Sequence, residues 1–332
     1  MRNGTAHQAR SGATRRFLAY VLLGAALLGA APSARAADAL RAGKAVGALW
    51  AFLPVDIGVE QGIFARYGID LAISDLGNGP KLQQALASDS IDFGLSAGSD
   101  MAFAAKGSPV LAVAAFAEEP RSVVILVGAD SPLETVADLK GKLIAMPGVG
   151  SVAEWLVWRM AIAQGWGKDG VRTVAQGSVA ANVAALRTKE VDAMAGPVEV
   201  GFGLEDRHEG RILVRLAQYA PRFHAHIVFA RRALIAKEPD KIARFLKGFF
   251  AAIAFMKANK AATSATAVRV LHESPSIADR TYDYEISMLL DDGRFDPEAI
   301  AVIKKSWVEL GVLDKEPSDD EILTTHFVPV RP

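Results

Sequence analysis

The chain has 332 residues, 51% of them hydrophobic and 22% charged, with 37 basic and 37 acidic side chains and no net charge. That balance carries no electrostatic footprint for nucleic acid or an anionic membrane surface, and no nucleic-acid partner is expected. The absence of cysteine excludes a disulfide framework, cysteine-ligated zinc, iron–sulfur clusters and a thiol nucleophile.

In chain order, the first element is a targeting segment. Arg10, Arg15 and Arg16 form a basic region, an apolar run spans 17–30, and Ala34-Arg35-Ala36 fits the small-x-small cleavage rule. The apolar run is short for a bilayer span. A signal peptide over 1–36, cleaved after Ala36, is therefore expected. Phe17 directly follows Arg15-Arg16, which breaks the spacing of a twin-arginine signal and points to the general secretory route. With no cysteine after the leader, no lipid anchor is expected.

From Lys44 onward, short apolar runs alternate with helical patterns, the signature of parallel α/β units. "KAVGAL" reads as a strand, "WAFLP" as a loop, "VDIGVEQGIFARY" as a helix ending at Gly68, and "IDLAIS" as the next strand. A turn "DLGNGP", a helix "KLQQALAS" and a strand "IDFGLS" follow. The order recurs one hundred residues on, with "KLIAM", "PGVGS", "VAEWLVWRMAIAQ", "VRTVAQ", "VAANVAALRT" and "VDAMA". Ala85-Leu86-x4-Ile91-Asp92 aligns with Ala185-Leu186-x4-Val191-Asp192, a coarse internal repeat.

Two long apolar runs, 110–132 and 211–234, are expected to carry the chain between two lobes and back. The remainder is helical. Ile242, Phe245, Leu246, Phe249, Phe250 and Ile253 share one face at helical spacing, with Pro239 tolerated in the first turn. The expected fold is α/β and bilobal: 37–120 begins lobe 1, 121–221 forms lobe 2, and 222–332 returns to lobe 1 with C-terminal helices.

Several of these stretches resemble a known family. "IGVEQGIFARYGIDLAIS", "LASDSIDFGLSAGSDMAFAAKGSPV", "SPLETVADLKGKLIAMPGVGS" and "KEVDAMAGPVE" are similar, in order, to blocks of the periplasmic solute-binding proteins of ABC importers, of the nitrate/sulfonate/taurine type. Ser88 stands where the family's second block has a glycine. The resemblance covers essentially all of 37–332 and includes pyrimidine-precursor-binding relatives. It implies a type II periplasmic-binding-protein fold, with two lobes joined by two hinge crossings. It also implies a monomer in the periplasm that closes on a small solute (a sulfonate, a nitrate-like anion or a small heterocycle) and hands it to a membrane permease. Enzymes share the scaffold, but the relatives in question depend on cysteine. No catalytic constellation, cofactor or metal site is expected.

In open α/β sheets the ligand meets the loops after the C-terminal ends of the strands, and the candidate site residues lie there. Trp50 and Phe52 offer flat apolar walls, against ordinary packing as the alternative. Asn78 lies in a turn that its own chemistry explains. Ser96, Ala97 and Ser99 bring hydroxyl and N–H groups. Gly148, Gly150 and Ala153 match a dinucleotide fingerprint, but the next strand ends in Gln176 where the ribose carboxylate should be. Ser151 with Glu154 reads as a capping box, and N–H groups at Gly150, Ser151 and Val152 remain for a ligand. Gln176 is a further candidate, and Pro197 and Glu199 occupy the place in the second lobe equivalent to Ser96–Ser99, Glu199 either favouring a cationic or hydrogen-bond-donating ligand or being solvated. Glu118 lies at the first crossing. His224 and His226, two apart on a strand, are expected to share a face, with His224 the one reaching the cleft.

Overall fold

The computed structural model describes Met1 and residues 37–47, 49–220 and 222–331; the expected signal peptide and its cleavage site lie outside them. Strands β1 (Asp38–Lys44), β2 (Ile69–Asp75), β3 (Phe93–Ala97), β4 (Val110–Glu118), β5 (Val123–Gly128), β6 (Leu143–Met146), β7 (Arg172–Ala175), β8 (Ala193–Pro197), β9 (Gly210–Arg215) and β10 (His224–Arg231) form two five-stranded sheets. Their orders are β2-β1-β3-β10-β4 and β7-β6-β8-β5-β9.

The two sheets follow one plan. In the first, β1 runs parallel to β2 and β3, and β10 is antiparallel to β3 and β4. In the second, β6 runs parallel to β7 and β8, and β5 is antiparallel to β8 and β9. Each sheet thus receives, in its fourth place, the strand that enters from a crossing. The repeat reaches individual atoms. Gly77 and Gly177 both have φ of 82°. Asn78 and Ser178 cap helices Gly79–Ala87 and Val179–Arg187, accepting from Lys81 N at 2.9 Å and Ala181 N at 3.1 Å. Asp92 and Asp192 accept from the backbone N–H of Arg41 and Leu143 at 2.9 and 2.8 Å.

Three sequence expectations shift. The first strand is Asp38–Lys44, not "KAVGAL", because its register against β2 begins at Asp38 and chain reversal starts beyond Lys44. Lys44 is buried and pairs with Asp56 at 3.0 Å, which lets a charged residue end an interior strand. The helix expected over 55–67 is two, Leu53–Glu60 and Ile63–Arg66, broken at Gly62 with φ of 61°. "WAFLP" is no open loop: Trp50–Phe52 forms a buried 3-10 turn running into the first of these helices.

The core of the first sheet is aromatic. Phe93 stacks on Phe245 at 3.8 Å between ring centroids, with Phe64 and Phe249 against the same ring at 5.5 and 6.1 Å. All six residues of the predicted apolar face, Ile242 to Ile253, are buried on helix Pro239–Ala258. Burying each such side chain contributes roughly 1.5–3 kcal/mol. Helix Pro275–Glu285, expected to complete the first lobe, also packs on helix Val198–Asp206 beside the second sheet. Arg280 bonds Glu205 and Asp206 at 2.6 and 3.0 Å, and Phe202 meets Tyr284 edge-on. Among the described residues no helix is long and apolar enough to cross a membrane.

Candidate ligand-binding site

The turn after β1 and the helix start after β8 meet between the two sheets. Trp50, from the turn after β1, lies wholly buried, and its backbone N–H faces the Glu199 carboxyl at the start of helix Val198–Asp206. Neither oxygen of Glu199 closes a hydrogen bond, and the indole Nε1 of Trp50 has no partner either. The Trp50 ring meets Tyr282 edge-on at 6.1 Å, which brings helix Pro275–Glu285 to the same place.

Two more acids join Glu199 there. Glu285 is fully buried, and both its oxygens and both oxygens of half-buried Glu273 are without partners. Burial raises all three carboxyls: Glu199 to about 8, Glu273 to about 7, and Glu285 well above the usual range, with the charges of the neighbouring acids pushing Glu199 and Glu285 further. The N–H groups of Glu199 and Trp50 oppose the shift at Glu199 without offsetting it. Buried polar groups are normally hydrogen-bonded, and each that is not costs free energy. Among the described residues no group of three or more His, Cys, Asp or Glu side chains is arranged to hold a metal ion.

The helix starts nearest the cleft are filled by the chain's own acids. Glu154 accepts from Gly150 N–H at 2.7 Å and from the Thr173 hydroxyl at 3.1 Å, while Ser151 Oγ accepts from Glu154 N–H at 3.3 Å. The expected box is thus displaced by one residue: the acid reaches past Ser151 to Gly150. Gly150 itself has φ of 72°, which accounts for a glycine there without any nucleotide. In the first sheet Asp100 lies against Gly79, the first residue of its helix, and accepts from Ser96 Oγ. Burial raises Asp100 to about 6, with the Ser96 bond pulling the other way.

The other predicted residues divide into groups. Phe52 is core, held between Phe116 and His226. Asn78 is an exposed cap, and the carbonyl of Ser99 accepts from Trp307 Nε1 at 2.9 Å. Ala97 ends β3 and Pro197 ends β8, both half-buried. Val152 and Gln176 are half-buried, and Gln176 N–H bonds Met146 O at 3.0 Å. Glu118 is exposed beside the first crossing, where burial of its carboxyl and then Asp296 raise its pKa.

A bulge between His224 and His226 gives the two rings different neighbours. His224 is wholly buried, its Nε2 accepting from Asp296 N–H at 2.7 Å. His226 sits between Phe52 and Phe116. Burial lowers them to about 4 and about 3.

Sequence reasoning missed Glu273 and Glu285. Both lie in polar stretches, "LHESPS" and "YDYEIS", that read as solvated surface. Glu285 ends helix Pro275–Glu285 and Glu273 precedes it, and the packing of that helix on Val198–Asp206 brings both toward Glu199.

Residues 51–262 match the family model described as NMT1/THI5 like. Curated relatives in Saccharomyces cerevisiae, the 4-amino-5-hydroxymethyl-2-methylpyrimidine phosphate synthases such as THI5, are 31% identical over 97 residues, 29% of this chain. That match spans only 28% of the length of those relatives. The fold is similar to that of the periplasmic aliphatic sulphonate binding protein SsuA from Escherichia coli, with a TM-score of 0.74 at 22% identity over 87% of this chain and 92% of that one. The alkanesulfonate-binding protein SsuA from Xanthomonas axonopodis pv. citri, bound to MOPS, gives 0.72 at 21% identity over 86% and 96%. The chain thus has the bilobal periplasmic-binding-protein fold.

Proposed function

The chain belongs to the NMT1/THI5-like family, and on that premise we propose that it is the solute-binding component of an ABC importer. It is exported to the periplasm after loss of residues 1–36 and works as a monomer. Residues 37–120 and 222–332 make one lobe, and 121–221 make the other. The lobes close by hinge motion on a small organic solute and deliver it to a membrane permease.

One observation carries this reading. Trp50 from the first sheet meets Glu199 from the second, and both present buried polar atoms without a protein partner. Such atoms at an interlobe junction are where a ligand is bound and oriented. The likeness to transport binding proteins supports the reading at the level of fold.

The test is native mass spectrometry of the protein as purified, followed by thermal melting with any ligand it retains. A retained small molecule that raises Tm through linkage supports the receptor. A protein that carries nothing and is stabilised by no solute in a broad panel counts against it.

An enzyme on the same scaffold is the second reading, favoured by the family and the yeast synthases. Incubation separates the two, since a receptor returns its ligand unchanged.

A further inference from the structure

We propose that the solute is an organic cation carrying several N–H donors, such as an ammonium or amidinium compound, held by Glu199, Glu285 and Glu273 at the junction with Trp50. The inference rests on the receptor reading and narrows it.

Three independent features converge. First, the carboxyl oxygens of Glu199 and Glu285, on residues 6% and 0% exposed, have no protein partner. A donor-rich ligand supplies what these acceptors lack.

Second, the chain's own acids stand at three helix starts. Helix N-termini attract negative charge. Here Glu154 holds the N–H of Gly150, Asp100 lies against Gly79, and Glu199 sits in the first turn of its own helix.

Third, three cations at the strand ends and crossings are engaged by the chain's own acids. Lys44 pairs with Asp56 at 3.0 Å, Arg121 with Glu119 at 2.7 Å, and Arg222 with Asp296 and Glu298 at 3.0 and 2.6 Å. A sulfonate reaching these carboxyl oxygens would meet acceptors rather than donors. A cation reaching them would be paired on several sides, and its arrival would draw protons off the acids.

The experiment is isothermal titration of the mature chain near neutral pH with benzamidine, 1,4-diaminobutane and butanesulfonate, each in two buffers of different ionisation enthalpy. At least one cation binds and releases protons, and butanesulfonate gives no binding heat. Glu199→Gln and Glu285→Gln each weaken cation binding by about ten- to a hundredfold, the range of a lost charge-assisted hydrogen bond. Both substitutions are nearly isosteric and remove the carboxyl that would give up its proton to a bound cation. Melting curves establish that each folds, and either one alone carries the test.

Binding of butanesulfonate without the cations overturns the proposal. So does cation binding indifferent to both substitutions, or no binding of any probe. The receptor reading stands separately: an anion retained by the purified protein defeats the cation assignment and leaves the receptor intact.

Discussion

The carboxylate of Glu154 accepts the backbone N–H of Gly150 at 2.7 Å, so the helix that begins at Val152 is closed by an acid from its own first turn. Ser151 Oγ contributes the other half of the closure through Glu154 N–H. Ser151→Ala should cost about 1 kcal/mol. Glu154→Ala should cost more, about 1–3 kcal/mol, because it also strands the Thr173 hydroxyl. Urea unfolding at constant m-value measures both; equal stability of wild type and Glu154→Ala would refute the closure.

Gly98→Ala and Gly148→Ala should behave oppositely although both glycines stand in cleft loops. A Cβ on Gly98 would run into the carbonyl oxygen of His224, whereas nothing lies within 4 Å of one on Gly148. Backbone cannot swing aside as a side chain can, so Gly98→Ala should lose about 1–3 kcal/mol and Gly148→Ala should stay within about 0.5 kcal/mol of wild type. Thermal melting of the pair decides it.

Asp92 and Asp192 occupy the same place in the repeat, but their substitutions should not cost the same. Burial pushes Asp92 upward, yet hydrogen bonds from Arg41 and Arg231 outweigh it and hold the carboxylate below its usual range. Its side chain is 8% exposed and bonds both guanidinium groups. Asp192, 38% exposed, has one cation, Lys142 at 3.8 Å, besides the Leu143 N–H that it accepts at 2.8 Å. Asp92→Asn should cost about 3–5 kcal/mol, as breaking a buried pair does, and Asp192→Asn about 0–1 kcal/mol. Comparable losses in chemical denaturation would contradict this.

Stability of the ligand-free protein should fall as pH rises from 6.5 to 8. Glu199, raised to about 8, and Glu273, raised to about 7, keep protons in the folded state that the unfolded chain has lost above 4.5. The folded state therefore binds more protons in that window, and stability declines through it. His224 and His226, lowered to about 4 and 3, act in the opposite sense: their effect weakens the fold as pH falls below 6.5 and is absent above it. Tm should drop between pH 6.5 and 8, and Glu199→Gln should flatten the slope. A wild-type Tm that is constant or rising across that interval would rule out the buried acids as its source.

The layout of the fold was legible because its units repeat. Glycines at the helix breaks, apolar runs of strand length and the hundred-residue offset of Asp92 and Asp192 all act locally, where sequence speaks directly. The boundaries of β1 were not legible, since its end depends on the Lys44–Asp56 pair and on register against β2. At the candidate site, Trp50 and Glu199 were named from their positions after strands, and the structure brings the two together. Phe52 was placed among ligand walls, and only the three-dimensional contacts of Phe116 and His226 show how deeply it is packed. Glu273 and Glu285 could not be found in that way. Their burial is a property of two helices nearly eighty residues apart, and nothing in either helix alone marks it.

The place of β10 in the first sheet has a consequence for how the chain acquires its structure. β4 lies at the sheet's edge, and its ladder partner is β10, more than a hundred residues later. Until residues 224–231 arrive, eight of the nine residues of β4, all apolar, have no ladder to join. Pairing over such sequence separation is slow, because the closure entropy precedes the reward. During that interval the strand is open to intermolecular association. A chain halted anywhere before β10 would carry this segment bare, so the first sheet to be started is among the last parts to be finished.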